Sequence, residues 1–332
     1  MEIETHNTTK RLTTVYGPVP SWRLGKSLGI DPILPPKTCT FDCIYCQLGK
    51  TKNKISLENW RVTKVSVSMV AEDLKSYIDK FGIESIDYIT FSGSGEPTLN
   101  PDLGKMIKAV KRIAPSIPIA VLTNSSLFSL KKVRENLLEA DLVVAKLDAP
   151  TEEIFKAINR PSEKITLKFV VKGLKKLRRE TSGKIAIQIM LLKAKNKPLN
   201  SDVNSVKRLI ELVNEVSPDE VELNTPTRPP SEKYVSVLSR KELSEIESLF
   251  RDNVEAEIIS VYKGKPLREK KPRKLAEDEV LLLLVRRPCK AIDIARALNV
   301  SVSEVEVEIK RLIKSGKVKL VEFRGQKYYK IT

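Results

Sequence analysis

The sequence predicts an α/β protein built on a parallel sheet, followed by a small and mainly helical C-terminal domain. Between residues 27 and 262, short β-rich runs alternate with segments whose apolar residues recur at helical spacing. That alternation is typical of βαβ units and of parallel sheets. Beyond residue 275, three helical patterns precede two short β-rich runs. A chain of 332 residues is long enough for one large and one small domain.

The predicted elements follow one another as strand and helix. Residues 1–26 form a polar lead-in whose last part, rich in glycine and proline, is predicted to be an ordered loop. The predicted strands are 27–34, 86–91, 117–122, 142–147, 184–191, 221–223 and 256–261. The predicted helices are 70–81, 101–113, 130–140, 151–158, 167–179, 203–216 and 239–250, the last with Ser239 and Glu242 in capping-box spacing.

Composition limits the classes of protein that this chain can belong to. The sequence contains no run of eighteen apolar residues, so it predicts no membrane span. The polar N-terminus lacks the apolar stretch of a signal peptide. Four unevenly spaced cysteines do not form the framework of a secreted disulfide protein. We therefore expect a cytoplasmic protein without a membrane partner. The net charge of +17 favours anionic partners such as nucleic acid, although a lysine-rich surface of the kind found in heat-adapted proteins also fits.

The C-terminal part begins with a basic linker over residues 263–274. Its charges are Lys263, Lys265, Arg268, Lys270, Lys271, Arg273 and Lys274. The three helical patterns that follow (275–287, 291–298 and 302–315) and the β-rich runs 318–323 and 326–331 resemble a winged helix-turn-helix domain.

The charges of that domain argue against sequence-specific DNA reading. Glu304, Glu306 and Glu308 begin the helix that would enter the groove, where phosphate would repel them. Contact with nucleic acid through the linker and the hairpin remains open, and so does a role as a protein-docking or lid domain.

Three of the four cysteines lie within eight residues. Cys39, Cys43 and Cys46 have C-x3-C-x2-C spacing, with Tyr45 directly before the last of them. Thiolates are soft ligands suited to iron–sulfur clusters, and three ligands would leave one iron of a four-iron cluster open to another molecule. A structural zinc site usually has four ligands, and His6 lies in a polar tail without matching spacing. A disulfide would leave an odd thiol in the loop, and Cys289 has the character of an incidental residue of the small domain.

Polar residues follow several of the predicted strands. They are the turn Ser92–Pro97, Thr123 with Asn124, Asp148, and the loop that begins at Asn224. Ligands of parallel sheets bind at the carboxyl ends of the strands, so we expect these residues to share one face.

The cysteine loop and the Ser92-Gly-Ser-Gly-Glu-Pro97 turn together resemble the radical S-adenosylmethionine (SAM) superfamily over residues 15–262. The resemblance implies a partial (β/α)6-type TIM barrel, one 4Fe–4S cluster bound by Cys39, Cys43 and Cys46, and SAM bound at the fourth iron. It further implies that an electron from a donor such as ferredoxin or flavodoxin splits the sulfonium of SAM and releases a 5′-deoxyadenosyl radical.

The resemblance also implies roles for residues around the cluster. Gly93, Ser94, Gly95 and Glu96 are expected to hold the ammonium group of SAM. Asn124, Lys146 and Asp148 match the places of ribose and carboxylate contacts. Gln188 and Met190 are expected to line the adenine or substrate space, although a buried strand explains Met190 more simply.

Two further motifs concern the substrate. The run from Gly17 to Pro20, with Arg23 and Lys26, and the tetrad Ile158-Asn-Arg-Pro161 resemble a branch grouped with wyosine-type tRNA synthetases. Because no cysteine precedes Cys39, we expect one cluster rather than the two of archaeal wyosine-forming enzymes. The loop and turn are also similar to glycyl-radical activating enzymes. Arg160 and Arg228, each beside a proline, are candidates to bind substrate phosphate, and a salt bridge to an acidic helix is the alternative.

Three functions follow from these patterns. The first is a monomeric radical SAM enzyme that modifies tRNA or another RNA, held by the basic linker and the winged helix. The second is a radical SAM enzyme acting on a protein or small molecule, with the C-terminal domain as a docking module. The third is a transcription regulator that uses the cluster as a redox sensor.

Overall fold

The computed structural model describes residues 2–5, 8–195, 197–263, 274–275 and 278–332, with side chains from residue 12 onward. Among these residues, eight strands form one continuous sheet in the order in which they follow in the chain. The strands are β1 (Val15–Ser21), β2 (Gly25–Ile30), β3 (Tyr88–Phe91), β4 (Ile119–Thr123), β5 (Leu142–Lys146), β6 (Lys184–Met190), β7 (Glu220–Asn224) and β8 (Glu257–Ser260).

Helices connect the strands from β2 to β8, and each of these strands runs parallel to the next one in the series. The helices are α1 (Val67–Phe81), α2 (Leu103–Ile113), α3 (Lys131–Leu137), α4 (Glu152–Asn159), α5 (Leu167–Glu180), α6 (Val203–Val216) and α7 (Arg240–Asn253). In the described part of the chain, β1 and β8 are the two unpaired edges, so the sheet is an open, curled half-barrel. The predicted partial barrel is confirmed.

Strand β1 corrects the expectation of a loop before residue 27. Val15–Ser21 pairs antiparallel with β2, and the register shifts between Tyr16 and Val19. Prolines are tolerated on an edge strand and at bulges, because no ladder bond is lost there. The sequence pattern of glycine and proline therefore concealed a strand, and the sheet begins at Val15 rather than in the segment after residue 26.

The sheet separates apolar from polar side chains by the alternation of its strands. On β6, for example, Ile185, Ile187 and Ile189 are fully buried in the main core, whereas Gln188 and Met190 face the opposite side, where a cavity lies. The main core lies between the sheet and the helices. The opposite face of the sheet carries a second, smaller apolar cluster, formed by Leu24, Ala120, Leu142, Val144 and Ala186, and polar residues such as Lys146 and Gln188 border the cavity.

The C-terminal part contains the predicted elements. They are α8 (Glu279–Leu284), α9 (Ala291–Leu298), α10 (Val302–Lys314), β9 (Val318–Phe323) and β10 (Gln326–Ile331), the last two paired as a hairpin. Helix α8 is shorter than the predicted helix 275–287. Most of the basic linker, residues 264–273, lies outside the described residues, and so does His6. Helices α8 and α9 pack against β1. The capping boxes that open α7 and α10 are both formed.

Smaller elements complete the described chain. Short strand pairs join Glu2–Thr5 with Thr8–Arg11, Thr38–Cys39 with Asn53–Lys54, and Lys193–Ala194 with both Lys197–Pro198 and Val235–Ser236. Across the described residues, no helix has the length and apolar character that crossing a membrane requires.

Candidate active site

The cysteine loop is bound directly to the glycine-rich turn. The Thr38 amide donates to the carbonyl of Ser94 at 3.1 Å, and the Glu96 amide donates to the carbonyl of Thr38 at 3.1 Å. A Cβ atom on Gly95 would lie 1.8 Å from the Thr38 oxygen. Only glycine allows this approach, so the turn and the cysteine loop form one unit.

The end of α4 holds the other side of the cysteine loop. The Asp42 amide donates to Asn159 O at 3.1 Å, and the Ile44 amide donates to Ile158 O at 3.0 Å. The hydroxyl of Ser162 donates to Thr40 O at 2.9 Å. The tetrad Ile158–Pro161 therefore belongs to the support of the cysteine loop.

Two of the three cysteine sulfurs receive hydrogen bonds from amide groups. Cys39 Sγ accepts from the Phe41 amide and from Asn124 Nδ2, both at 3.4 Å. Cys43 Sγ accepts from Asn159 Nδ2 at 3.5 Å. Hydrogen bonds to ligating sulfurs orient them and adjust the potential of a cluster.

A buried lysine stands beside the cysteines. Lys37 is 8% exposed, and its ammonium donates to Gly49 O at 2.6 Å. Its charge also interacts electrostatically with all three cysteines, most strongly with Cys46. Sequence reasoning missed this residue, and the only available signal was its position two residues before the first cysteine.

The thiols themselves fit an iron–sulfur cluster. All three are free, and burial raises the pKa of Cys43 to about 12 and also raises the pKa of Cys39. Buried thiols become thiolates when a bound metal supplies compensating positive charge. Within the described ranges, no three His, Cys, Asp or Glu side chains converge on a site for a single metal ion. A four-iron cluster makes a different demand, because each thiolate binds its own iron.

The glycine-rich turn presents its backbone, rather than its polar side chains, to the cavity. Gly93 and Gly95 line the cavity. Ser94 is buried, and its hydroxyl donates to Asp31 Oδ2 at 2.7 Å. Glu96 accepts hydrogen bonds from Thr98, Thr123 and the Asn124 amide, and burial raises its pKa although these bonds oppose the shift. The side chains of Ser94 and Glu96 therefore stabilise the turn through hydrogen bonds on the side away from the cavity.

The three strand-end residues predicted to contact SAM have different surroundings. The side-chain amide of Asn124 donates to Cys39 Sγ and, at 2.9 Å, to Thr40 Oγ1. Asp148 accepts hydrogen bonds from Tyr45 Oη, from Asn159 Nδ2 at 2.8 Å and from the Met190 amide at 2.9 Å. Its carboxylate thus joins the cysteine loop, α4 and β6.

Of the three strand-end residues, Lys146 is the one whose charged group makes no hydrogen bond within the described part of the protein. Its Nζ atom is buried and has no hydrogen-bond partner among the described residues. It lies 4.9 Å from the centre of the Tyr45 ring, a cation–π contact, and it lines the cavity.

A cavity of about 340 Å³ opens at the carboxyl ends of the strands. Cys46, Gly93, Gly95, Lys146, Gln188 and Met190 all line it, so the structure brings these predicted residues together. Its volume falls in the usual range of ligand sites. Four arginines, from distant parts of the chain, also line it: Arg23, Arg228, Arg286 and Arg287.

Two of these arginines are paired with buried carboxylates. Arg23 lies 3.2 Å from Glu222, to which Gln188 also donates, and Arg286 lies 3.1 Å from Asp31. Arg160, by contrast, points away from the cavity: it donates to Glu232 at 2.6 Å and to the hydroxyl of Tyr234 at 3.1 Å. For Arg160 the salt-bridge alternative holds, with a loop residue as partner instead of a helix.

Comparison with known proteins agrees with this geometry. The family model described as the radical SAM superfamily matches residues 33–198, half of the chain. A UPF0026 protein of Methanocaldococcus jannaschii is 34% identical over 323 residues, which cover 96% of each chain. The chain therefore belongs to the radical SAM superfamily and shares nearly its whole length with a UPF0026 protein. Enzymes of this superfamily use a 4Fe–4S cluster and SAM.

Two further similarities are narrower. A protein of Brachyspira hyodysenteriae named GTPase Obg is 38% identical over 312 residues, which cover 94% of this chain but 44% of that protein. The chain thus spans less than half of that relative. A radical SAM methyltransferase from Sphaerobacter thermophilus has a crystal structure that superposes with a TM-score of 0.53 at 14% identity, over 72% of this chain and 68% of that one. At that identity the likeness concerns the fold alone.

Proposed function

We propose that the chain is an enzyme that cleaves SAM reductively and uses the radical on tRNA or another RNA. The observation that carries the first part is the meeting of the cysteine loop, the glycine-rich turn and Lys146 at one cavity. When bound, the cluster supplies the electron that splits SAM into methionine and a 5′-deoxyadenosyl radical. A small protein such as ferredoxin or flavodoxin would deliver that electron.

Different residues of the chain would bind the cluster, the ammonium group of SAM and the carboxylate of SAM. Cys39, Cys43 and Cys46 would hold the cluster. The backbone of Gly93 and Gly95 would receive the ammonium group of SAM, because the absence of side chains lets a ligand approach closely. Lys146, with its free and buried ammonium, would bind the carboxylate.

The other predicted contacts support the site from a distance. Ser94, Glu96, Asn124 and Asp148 make their hydrogen bonds within the protein. We propose that they hold the loops in place, as second-layer residues do in metal sites. Gln188 and Met190 would border the space where the radical meets its substrate.

Cluster content tests the assignment of the cysteines. Wild-type chain and the Cys39→Ala, Cys43→Ala and Cys46→Ala variants would be reconstituted without oxygen and assayed for iron and sulfide. We expect about four irons in the wild type and a large loss in each variant. Cys289→Ala is the matched control, since Cys289 is buried in the C-terminal part. Equal iron in all variants would refute the assignment.

The RNA part of the proposal is supported by charge. The net charge is +17, and five cationic side chains line the cavity. Exposed lysines of α10 and the hairpin, Lys310, Lys319 and Lys327, extend the positive surface. Phosphate contacts make nucleic-acid affinity fall steeply with salt.

Binding measurements on the full chain test the substrate class. We expect tRNA to bind with strong salt dependence, and simultaneous replacement of Lys310, Lys319 and Lys327 by glutamine to weaken it. Replacing Lys168, Lys172 and Lys207, exposed on α5 and α6, removes the same charge elsewhere and should change little. Equal effects of the two triple variants would contradict a specific RNA surface. Capture of one defined protein without RNA would favour a protein substrate instead.

A further inference from the structure

Two of the four arginines at the cavity lack an acidic partner. Arg23 and Arg286 are neutralised by Glu222 and Asp31. Arg228 and Arg287, in contrast, have no side-chain hydrogen bond or ion pair within the part of the chain that the structure describes, and the Nε atom of each is buried without a partner. Because paired and unpaired arginines line the same cavity, the high positive charge of the whole chain does not explain why these two lack partners.

The two unpaired guanidinium groups are close enough to repel each other. Burial, and then the charge of Arg287, lower the pKa of Arg228 to about 10, so Arg228 stays protonated at neutral pH. Asp293 is the carboxylate that interacts electrostatically with Arg228, and its Oδ1 atom also lies 3.9 Å from the ammonium of Lys290. Two like charges in a partly buried wall cost free energy unless a counter-charge arrives.

Each unpaired arginine directly follows an anchored residue. Arg287 follows Arg286, whose guanidinium is fully buried and donates to Asp31 and, at 2.7 Å, to Thr13 O. Arg228 follows Thr227, whose carbonyl accepts from the hydroxyl of Tyr328 on β10 at 3.0 Å. The C-terminal part thus holds one arginine and secures the loop that carries the other.

We propose that Arg228 and Arg287 form a binding site for a phosphate group of the substrate, built jointly by the half-barrel and the C-terminal part. Guanidinium groups match the oxygens of phosphate as paired donors. A phosphate monoester carries nearly two negative charges and a phosphodiester carries one, so either would offset the repulsion between the two cations. The inference rests on the proposed function, because the phosphate belongs to the molecule that the radical attacks. It gives the C-terminal part a direct role in substrate binding.

Phosphate binding can be measured without reducing any cluster. The reconstituted full chain, with SAM bound, would be titrated with ribose 5-phosphate and, separately, with a short oligoribonucleotide, with ribose as the uncharged comparison. The variants are Arg228→Gln and Arg287→Gln, and Arg296→Gln on α9 is the matched control because it is exposed. The result stands whether or not SAM is cleaved, so failure here is separate from failure of the proposed function.

We expect each variant to weaken at least one phosphate ligand about tenfold or more, as loss of a charged hydrogen bond does. Loss confined to ribose 5-phosphate would indicate a small phosphorylated substrate, and loss for the oligoribonucleotide would indicate an RNA phosphate. The melting temperature without ligand should stay equal or rise, because the substitution relieves repulsion. Unchanged affinity in both variants, no phosphate binding by the wild type, or a fall of several degrees in the unliganded melting temperature would each overturn the inference.

Discussion

The guanidinium of Arg286 donates to the carboxylate of Asp31 at 3.1 Å, and both side chains are almost completely excluded from solvent. The same carboxylate accepts the hydroxyl of Ser94 and the amides of Ile33 and Leu34. One acidic residue at the end of β2 therefore joins the glycine-rich turn to the C-terminal part. Together with the packing of α8 and α9 against β1, this contact holds the C-terminal part on the half-barrel.

Removing Arg286 should be strongly destabilising. Arg286→Met would leave the buried Asp31 without its cationic partner, and we expect the free energy of unfolding to fall by about 3–5 kcal/mol. Chemical denaturation followed by circular dichroism measures this. The exposed Arg296→Met should change stability by about 0.5 kcal/mol or less. Adding Asp31→Asn to Arg286→Met should restore part of the loss, and a loss as small as that of the control would contradict the assigned pairing.

Gly95→Ala should separate the cysteine loop from the glycine-rich turn. The new Cβ atom would meet the Thr38 oxygen at 1.8 Å, so one of the two segments must move. We expect loss of most of the reconstituted iron, measured by a colorimetric assay. Gly316→Ala serves for comparison: the φ of Gly316 is positive, at 71°, but its Cβ would meet nothing within 4 Å, so the substitution should cost about 1 kcal/mol and keep the iron. Normal iron in Gly95→Ala would show that the contact is unimportant.

Lys37 should raise the reduction potential of the cluster. A buried positive charge beside the cysteines stabilises the reduced state, which carries one more negative charge. We expect Lys37→Met to lower the potential, by an amount on the order of tens of millivolts, in a redox titration followed by electron paramagnetic resonance. Lys37→Arg keeps the charge and should shift it less. A potential that does not change in Lys37→Met would exclude this electrostatic role.

Local patterns in the sequence predicted most of the fold and the core of the site. The alternation of β-rich and helical segments gave β2 to β8, because each element buries its apolar residues in its own period. The spacing of Cys39, Cys43 and Cys46 and the turn around Gly95 are local patterns too. The cysteine loop and the turn are hydrogen-bonded to each other, and Cys46 and Gly95 both line the cavity. The edge strand β1 was missed because its glycine and proline are permitted only by its place at the edge.

The missing parts of the site depend on contacts between distant residues. Arg286 and Asp31 are separated by 255 positions, and no periodicity links them. Sequence reasoning proposed Arg160 and Arg228 as equal candidates for phosphate, and only packing separates them, since Arg160 meets Glu232 while Arg228 stands beside Arg287. Likewise, the hydrogen bonds of Asn124 and Asp148 inside the protein could not be read from their positions after strands.

Formation of 5′-deoxyadenosine tests the central claim most directly. The reconstituted chain would be reduced under anaerobic conditions with SAM, and the products would be measured by mass spectrometry. The account predicts 5′-deoxyadenosine from the wild type and from Cys289→Ala, and none above background from Cys43→Ala. A cluster that is visibly reduced in the wild type, with SAM left intact, would contradict it.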